Sequence, residues 1–237
     1  MARLSVSDQI RVGLIQFPGS NCDADCFHAF QRYLGVRLIP VWHQESDLPA
    51  LDALILPGGF SYGDYLRGGA LASHARVMPK IREFASHGGA ILGICNGFQI
   101  LTEMGLLPGT LLKNRDGQFI CQDTDLVVSS GSSIYQHSLA GRKLRVPIAH
   151  GEGRYFLPPE ELRRIEGEGQ VAFRYADSQG QVTEASNPNG SSSNIAGVVS
   201  ANGKILGMMP HPERATDQLV GGSDDGLAIL RAFLESL

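Results

Sequence analysis

A series of short apolar runs, each stopped by glycine, places the strongest constraint on how this chain can fold. Arg11–Phe17 ends at a Pro-Gly pair, Ala53–Leu56 at a Pro-Gly-Gly sequence, and Ala90–Ile94 at a Cys-Asn-Gly sequence. Such runs are typical of strands that are buried on both faces of a parallel sheet. Glycine after a strand permits positive φ or a close backbone approach, as in loops that hold ligands. We therefore expect a binding site at the carboxyl ends of parallel strands.

Apolar residues at helical spacing fill the stretches between these runs. Helices are predicted over Asn21–Leu34, Gly69–His74, Met78–His87, Asn96–Met104, Pro159–Ile165 and Gly226–Leu237, and further strands over Val36–Val41, Val171–Tyr175, Ile195–Val199 and Ile205–Met209. From Leu111 to His150 the runs are short and alternating, which favours antiparallel strands. The predicted fold class is α/β: a three-layer, flavodoxin-like sheet of mostly parallel strands, with helices on both faces and some added antiparallel strands.

The length of 237 residues fits one domain over residues 1–237, in which residues 1–10 form a short leader of no evident role. Hydrophobic residues make up 43% of the chain and charged residues 19%, so a core can form without disulfides or metals. Asn187–Asn194 consists of turn-forming residues and is predicted to be an exposed loop.

Charge and hydropathy exclude several classes of function. The net charge of −4 leaves no general basic surface, so neither nucleic acid nor an anionic membrane is an expected partner. No apolar run is long enough to span a bilayer, and the first ten residues lack the apolar core of a secretion signal. We expect a cytoplasmic protein whose four cysteines are thiols.

Cys95 lies where a predicted strand meets a predicted helix, within Gly93-Ile94-Cys95-Asn96-Gly97. Small residues on both sides allow a tight, strained turn that presents a nucleophile above a sheet. The helix N-terminus and a neighbouring imidazolium would favour the thiolate form. A buried, inert thiol is the alternative, because cysteine is commonly buried.

His211 is the best candidate for the base that a cysteine nucleophile needs. It follows the predicted strand Ile205–Met209, in Pro210-His211-Pro212-Glu213. Residues two apart in an extended segment point the same way, so Glu213 can hold one ring nitrogen while the other faces Cys95. A proline-rich surface turn with a solvated histidine is the alternative interpretation.

Backbone N–H groups for an oxyanion are available from Gly58-Gly59 and from Asn96, the residue after the nucleophile. A plain turn is the alternative for the glycine pair. Cys22 and Cys26 are interpreted as structural, and no metal site is predicted because further ligands at fitting spacing are absent. Tyr62, Asp64 and Arg67 in the following loop form either a partner surface or ordinary loop polarity. The chain lacks a P-loop and is predicted to hold no nucleotide.

Three of these motifs together resemble the class I, triad-type glutamine amidotransferases: the Pro-Gly-Gly turn, Gly93-x-Cys95-x-Gly97-x-Gln99, and Pro210-His211-Pro212-Glu213. Five longer segments, in order along nearly the whole chain, are similar to the glutaminase subunits of phosphoribosylformylglycinamidine synthases. They are Phe17–Asp23, Gly59–Arg67, Gly93–Gln99, Ala149–Arg154 and Met208–Arg214.

The resemblance implies specific roles. Cys95 would form the glutamyl thioester, His211 would move protons and Glu213 would orient His211. Gly59 and Asn96 would supply the oxyanion donors, and Gly58 and Gln99 would border the glutamine, as would the Ala149–Arg154 segment.

The resemblance also implies partners. The ammonia would pass to a separate synthetase subunit that binds ATP and magnesium and converts formylglycinamide ribonucleotide to the amidine in purine biosynthesis. A small subunit would bridge the two, and this chain itself would need no cofactor.

Two other interpretations of the same residues remain. One is a cysteine hydrolase or peptidase of a related α/β family, which would differ in substrate specificity and in its independence from a synthetase. The other is a non-catalytic binding protein on the same fold, which would not be expected to keep Cys95, His211 and Glu213 together.

Overall fold

Alternating strands and helices place a nine-stranded sheet at the centre of the computed structural model, which describes residues 10–237. The predicted leader therefore lies, except for Ile10, outside the described residues. The strands are β1 (Val12–Gln16), β2 (Leu38–Trp42), β3 (Ala53–Leu56), β4 (Ala90–Ile94), β5 (Thr110–Leu112), β6 (Ile120–Val128), β7 (Lys143–His150), β8 (Arg154–Phe156), β9 (Val171–Ala176), β10 (Ile195–Val199) and β11 (Ile205–Met208).

The sheet order is β2-β1-β3-β4-β11-β10-β9-β6-β7, and β5 and β8 form a separate antiparallel pair. Strands β2, β1, β3, β4 and β11 are parallel, whereas the remaining pairings are antiparallel. Only β10 and β6 are reversed in this described sheet, so seven of its nine strands run in one direction. The predicted sheet of mostly parallel strands with added antiparallel strands is confirmed.

Helices cover the sheet. They are α1 (Asp23–Ala29), α2 (Met78–Ser86), α3 (Asn96–Glu103), α4 (Ile134–Ser138), α5 (Pro159–Gly167), α6 (Gln218–Gly221) and α7 (Gly226–Glu235). Every residue of β3, β4 and β10 is buried. Because successive strand residues point to opposite faces, both faces of the sheet are covered there. Among residues 10–237, no helix combines the length and apolar character needed to cross a membrane.

Three segments differ from the sequence-based expectation. The helix predicted over Asn21–Leu34 is α1 followed by a π-helical turn at Phe30–Leu34, which ends at Gly35 with a φ of 68°. Gly69–His74 contains only a short 3₁₀ turn at Ala72–His74. The region after Leu111 also contains α4, whose start is stabilised by a capping box between Ser133 and Gln136.

The prediction that Asn187–Asn194 is an exposed loop was wrong. Asn189, Ser191 and Asn194 are all buried. Their side chains bond to backbone groups of other segments: Asn189 donates to the Gly153 carbonyl at 2.8 Å, and Ser191 Oγ accepts from the Tyr155 N–H at 3.0 Å. Polar residues of this kind are usually exposed to water. These three can be buried because their side chains are hydrogen-bonded within the protein.

Candidate active site

The Cys95 turn joins β4 to α3 in a strained conformation. Cys95 has a φ of 49° and a ψ of −104°, a combination that a non-glycine residue rarely adopts. The flanking glycines allow helix and sheet to come together. A Cβ at Gly97 would lie 1.9 Å from the Leu56 carbonyl oxygen, and one at Gly93 would lie 2.9 Å from the Gly97 backbone. The Gly-x-Cys-x-Gly spacing is therefore a packing requirement of this turn.

Cys95 is buried against the ends of two further strands. It is 4% exposed, and its N–H donates to the Met208 carbonyl at 2.8 Å. Its sulfur lies 3.8 Å from the Ala149 carbonyl oxygen, just before the end of β7. The thiol stands at the N-terminus of α3, the end of the helix that carries a partial positive charge.

His211 and Glu213 form a buried pair directly after β11. The His211 N–H donates to the Pro147 carbonyl at 2.8 Å, which fixes the backbone beside β7. The ring Nδ1 donates to Glu213 Oε1 at 2.6 Å, and the two side chains are 2% and 0% exposed. His211 Nε2 is buried and has no hydrogen-bond partner among the described residues. The ring is thus oriented through one nitrogen while the other is free to exchange a proton.

The charge state of His211 follows from these neighbours. Burial by itself lowers the pKa of His211, but the Glu213 carboxylate, followed by the sulfurs of Cys95 and Cys22, raises that pKa well above its ordinary value. Because the imidazolium is favoured, His211 is suited both to stabilise a thiolate and to protonate a leaving group.

Cys22, interpreted from the sequence as structural, lies beside His211. Its sulfur, a His211 ring nitrogen and a Glu213 oxygen all lie within 4.8 Å of one another. The thiol donates to Asn21 Oδ1 at 3.3 Å and accepts from Arg214 Nη2 at 3.3 Å, and burial raises the pKa of Cys22. The sequence did carry one signal for a position near His211. Cys22 lies in the loop after β1, and loops that follow parallel strands meet at one edge of a sheet.

Cys22, His211 and Glu213 are also the residues that could contribute ligand atoms to a metal ion in the described part of the chain. Two of these residues are already bonded to each other, through His211 Nδ1 and Glu213 Oε1. These two atoms are thus paired with each other, as in a proton-transfer pair.

Gly59 and Asn96 were predicted to donate backbone N–H groups to an oxyanion; Gly59 lines the same cavity as Cys95, and Asn96 follows Cys95 in the chain. Gly59 has a φ of 137°, and a Cβ on it would lie 2.8 Å from the Asn21 nitrogen, so only glycine fits. Its N–H makes no hydrogen bond within residues 10–237. The Asn96 N–H is in the first turn of α3, where helical geometry leaves it without a partner. Both donors are therefore available to a ligand.

A cavity of about 140 Å³ opens in front of Cys95. It is lined by Gly59, Phe60, Asp64, Cys95, Gln99, Phe119, Ala149, His150, Gly151 and Glu152. A second cavity of about 250 Å³ shares Gly59, Phe60, Phe119 and Ala149 with the first and reaches Cys22, His211 and Arg214. The cysteine and the histidine thus face neighbouring spaces at one edge of the sheet.

Gln99 belongs to this cavity, whereas Gly58 supports it from behind. Gln99 Nε2 donates to the Glu152 carbonyl at 2.7 Å, and its Oε1 accepts from Asn96 Nδ2 at 2.8 Å. These bonds hold α3 against the segment after β7. Gly58 lies against the His211 ring, since a Cβ there would lie 2.7 Å from His211 Cε1. Its lack of a side chain leaves room for the imidazole.

His150 is a second buried histidine at the cavity and was not singled out from the sequence. Its Nδ1 donates to Asn114 Oδ1 at 3.0 Å, and its Nε2 faces Asn189 Nδ2 at 3.5 Å. Burial, and then the nearby charge of His211, lowers the pKa of His150 to about 4. His150 is therefore neutral near pH 7.

Comparisons with known proteins show the family to which this chain belongs. Residues 9–222 match the family described as the CobB/CobQ-like glutamine amidotransferase domain. The phosphoribosylformylglycinamidine synthase subunit PurQ of Chlorobium chlorochromatii is 49% identical over 229 residues, which cover 96% of this chain and 97% of that protein. PurQ of Moorella thermoacetica is 50% identical over 227 residues, covering 95% and 96%.

The fold comparison gives the same result. One chain of a solved structure described as PurLQS from Thermotoga maritima matches with a TM-score of 0.83 and 40% identity. The match covers 95% of this chain and 98% of that chain. The chain therefore belongs to the CobB/CobQ-like glutamine amidotransferase family, within its group of PurQ subunits of phosphoribosylformylglycinamidine synthase.

Proposed function

We propose that this chain is the glutaminase subunit of a phosphoribosylformylglycinamidine synthase and hydrolyses glutamine through Cys95, His211 and Glu213. The observation that carries the proposal is the strained Cys95 turn, which faces a cavity next to the buried His211–Glu213 pair. A buried ion-pair-forming histidine beside a cysteine is the arrangement that nucleophilic acyl transfer needs. Membership of the amidotransferase family supplies the substrate class.

The chemistry follows from the positions of these groups. The Cys95 thiolate attacks the side-chain amide carbon of glutamine, and the Gly59 and Asn96 N–H groups stabilise the resulting oxyanion. The C–N bond then breaks as His211 donates a proton to the nitrogen, which leaves as ammonia. The remaining glutamyl thioester is attacked by water, whose proton passes to His211. This step releases glutamate and regenerates the thiolate.

Ammonia made in this way serves a second reaction on a partner. The solved PurLQS structure and the names of the relatives support an assembly with a synthetase subunit and a small bridging subunit. ATP and magnesium would bind to the synthetase, which converts formylglycinamide ribonucleotide to the amidine. Cytoplasmic location is supported by the four cysteines, all of which are free thiols, including exposed Cys121.

The test is covalent labelling with a diazo-ketone analogue of glutamine, read by intact-protein mass spectrometry in the presence of the synthetase partner. We expect one adduct on the wild-type chain, protection by excess glutamine, and no adduct on Cys95→Ala. Cys121→Ala is the matched control, because it removes an exposed thiol outside the cavity and should label like the wild type.

Labelling that persists in Cys95→Ala, or that glutamine does not block, would contradict the proposal. An adduct on Cys22 would contradict the assignment of the nucleophile while leaving the substrate class in place. Glutamine hydrolysis by the assembled complex, measured as glutamate release, separates these two outcomes.

A further inference from the structure

The two predicted oxyanion donors belong to different segments of the chain. Gly59 follows β3, whereas Asn96 is the first residue of α3. To stabilise one oxygen atom, both N–H groups have to be held in place around it before the reaction begins. The position of the segment that carries Gly59 must therefore be fixed relative to the N-terminus of α3.

Backbone hydrogen bonds tie the Gly59 segment to the turn after β1, and not to α3. The Phe60 N–H donates to the carbonyl of residue 19 at 3.0 Å, and the Tyr62 N–H donates to the carbonyl of residue 18 at 2.7 Å. These bonds anchor the segment on one side. The N–H group between them, that of Ser61, points the other way.

The side chain of Asn96 makes the connection to α3. Its Oδ1 accepts from the Ser61 N–H at 3.2 Å, and its Nδ2 donates to Asp64 Oδ1 at 3.1 Å. In the part of the chain that the structure describes, these are the hydrogen bonds that join residues 59–64 to α3. The same residue thus offers its backbone N–H to the oxyanion and holds the loop that carries the other donor.

The Asn96 amide is buried, with 2% of the residue exposed, and each of its polar atoms has a partner. Besides the bond to Asp64, Nδ2 donates to Gln99 Oε1 at 2.8 Å, so both of its hydrogens are used. The orientation of the amide is fixed, because the Ser61 N–H can only donate. A fully bonded buried amide of this kind favours one arrangement of the segments around it.

Asp64 is a suitable acceptor for this amide near pH 7. Burial, and then the charge of Glu152, raises the pKa of Asp64 to about 6, while the bond from Asn96 lowers it. The carboxylate is therefore mostly charged at neutral pH, and a hydrogen bond to a charged acceptor is stronger than one to a neutral acceptor.

The loop between the two bonded residues is strained. Tyr62 has a φ of 54° and Asp64 a φ of 53°, left-handed values that cost energy for residues other than glycine. Such strain persists only where the surrounding contacts over-determine the backbone. Asn96 supplies two of these contacts, one on each side of Tyr62.

We propose that the Asn96 side chain is a positioning group that sets the oxyanion hole, because it fixes the Gly59 segment against the first turn of α3. This inference rests on the proposed glutaminase function. It adds to the backbone role of Asn96 a separate role for its amide, which touches no reacting atom and acts through the Ser61 and Asp64 backbone on Gly59.

The test uses the chain assembled with its synthetase partner and measures kcat and KM for glutamine hydrolysis. Asn96→Leu keeps the backbone N–H and the approximate shape of the side chain but removes all of its hydrogen bonds. We expect kcat to fall roughly 10- to 100-fold with KM changed by less than about threefold, since the oxyanion forms in the transition state and not in the bound substrate.

Asn96→Asp is a second, milder variant. It keeps an acceptor for the Ser61 N–H but loses both donors, and it places a carboxylate beside Asp64. We expect kcat to fall less than in Asn96→Leu, by roughly three- to tenfold, because one of the three bonds remains.

Alkylation of Cys95 by iodoacetamide separates positioning of the oxyanion hole from damage to the nucleophile. The thiolate displaces iodide from a saturated carbon, so no oxyanion forms. We expect the rate of Cys95 alkylation, followed by peptide mass spectrometry, to stay within about twofold of the wild-type rate in both variants. A merely structural loss at the Cys95 turn would change this rate together with kcat.

Asn202→Leu is the matched control. Asn202 is exposed in the turn between β10 and β11, at the opposite edge of the sheet, so the same exchange there should leave kcat, KM and the alkylation rate unchanged.

A folded Asn96→Leu variant with kcat within threefold of the wild type would overturn the inference. Equal losses in kcat and in the rate of Cys95 alkylation would also overturn it. If Asn96→Leu fails to fold, Asn96→Asp decides, because an unchanged kcat after the loss of two bonds would contradict the role. Failure of the proposed function is seen separately, as absence of glutamine hydrolysis by the wild-type complex.

Discussion

Two buried histidines face neighbouring cavities from different parts of the sheet, and their environments are electrostatically opposite. His211 follows the parallel strand β11 and bonds to the Glu213 carboxylate, which raises its pKa against the effect of burial. His150 ends the antiparallel strand β7 and bonds to the amide of Asn114, so burial dominates and lowers its pKa to about 4. At equal burial, the partner decides the charge.

The difference separates a chemical role from a structural one. An imidazole with a carboxylate partner and a free Nε2 can gain and lose a proton during a reaction. An imidazole with both nitrogens directed at amides instead fixes the wall of a cavity. His150 does so by joining β7 to Asn114 and to Asn189 of the buried 187–194 loop.

Removing the carboxylate from His211 should have the largest effect. In Glu213→Gln, the imidazolium loses its counter-charge, so the pKa of His211 falls and the ring orientation is less well defined. We expect glutamine hydrolysis by the assembled complex to decrease roughly 100- to 10,000-fold, as is typical when the orienting acid of a triad is neutralised. The measurement is kcat for glutamate release over a range of pH.

The same variant has a stability signature. The folded pKa of His211 lies above its unfolded value, so its stabilisation is fully present below about pH 6.5 and is lost as pH rises through the folded pKa. Denaturant unfolding above pH 6.5 should show a smaller loss of stability in Glu213→Gln than in the wild type. An equal loss in both would contradict the raised pKa.

His150 should produce the opposite pH dependence. Its folded pKa lies below its unfolded value, so stability is fully present above about pH 6.5 and is lost as pH falls towards about 4. A shift of this size corresponds to roughly 3 kcal/mol. We expect His150→Gln to remove most of that loss, measured as the free energy of unfolding between pH 7 and pH 4.

His87→Gln is the matched control, because His87 is exposed and the exchange should leave the acid slope unchanged. Asp64 also titrates in this range, but its contribution is common to all three proteins and cancels in the difference. If the free energy of unfolding of His150→Gln falls as much between pH 7 and pH 4 as that of the wild type, His150 is not the cause of this loss.

The smallest effect on activity is expected for Cys22, which tests whether its sulfur affects the pKa of His211. Cys22→Ala removes one of the sulfurs that raise the pKa of His211. We expect kcat for glutamine hydrolysis to fall severalfold, with a shift of its pH profile to lower pH. Cys26 is a buried thiol four residues further along the chain and lines neither cavity. Cys26→Ala should therefore keep the wild-type pH profile and change only the free energy of unfolding. Identical profiles in both variants would contradict a role for Cys22.

Local patterns predicted much of the fold. Three strands have the predicted bounds: Ala53–Leu56, Ala90–Ile94 and Ile195–Val199. Each is a short, uninterrupted apolar run between glycine or turn residues, a pattern typical of buried strands. The 187–194 loop was mispredicted for the complementary reason. Its polar residues carry no local sign that distant backbone groups will bond to them.

The same distinction applies to the candidate site. Cys95, His211 and Glu213 were predicted from residue type and from their places after strands, and the structure brings them to one edge of the sheet. Asp64 and Glu152 lie in segments that the resemblance covered, yet their pairing across the cavity depends on two loops 88 residues apart in the chain. The spacing of residues along the sequence does not predict such a contact.

The sequence by itself determined where strands end, which turns only glycine can form, and which residue types are available for acyl transfer. The tertiary structure alone decided which histidine is charged, which cysteine touches it and which carboxylates share the cavity. The reason is physical: backbone preferences act between near neighbours in the chain, whereas pKa values and ligand sites depend on groups that only folding brings within a few ångströms.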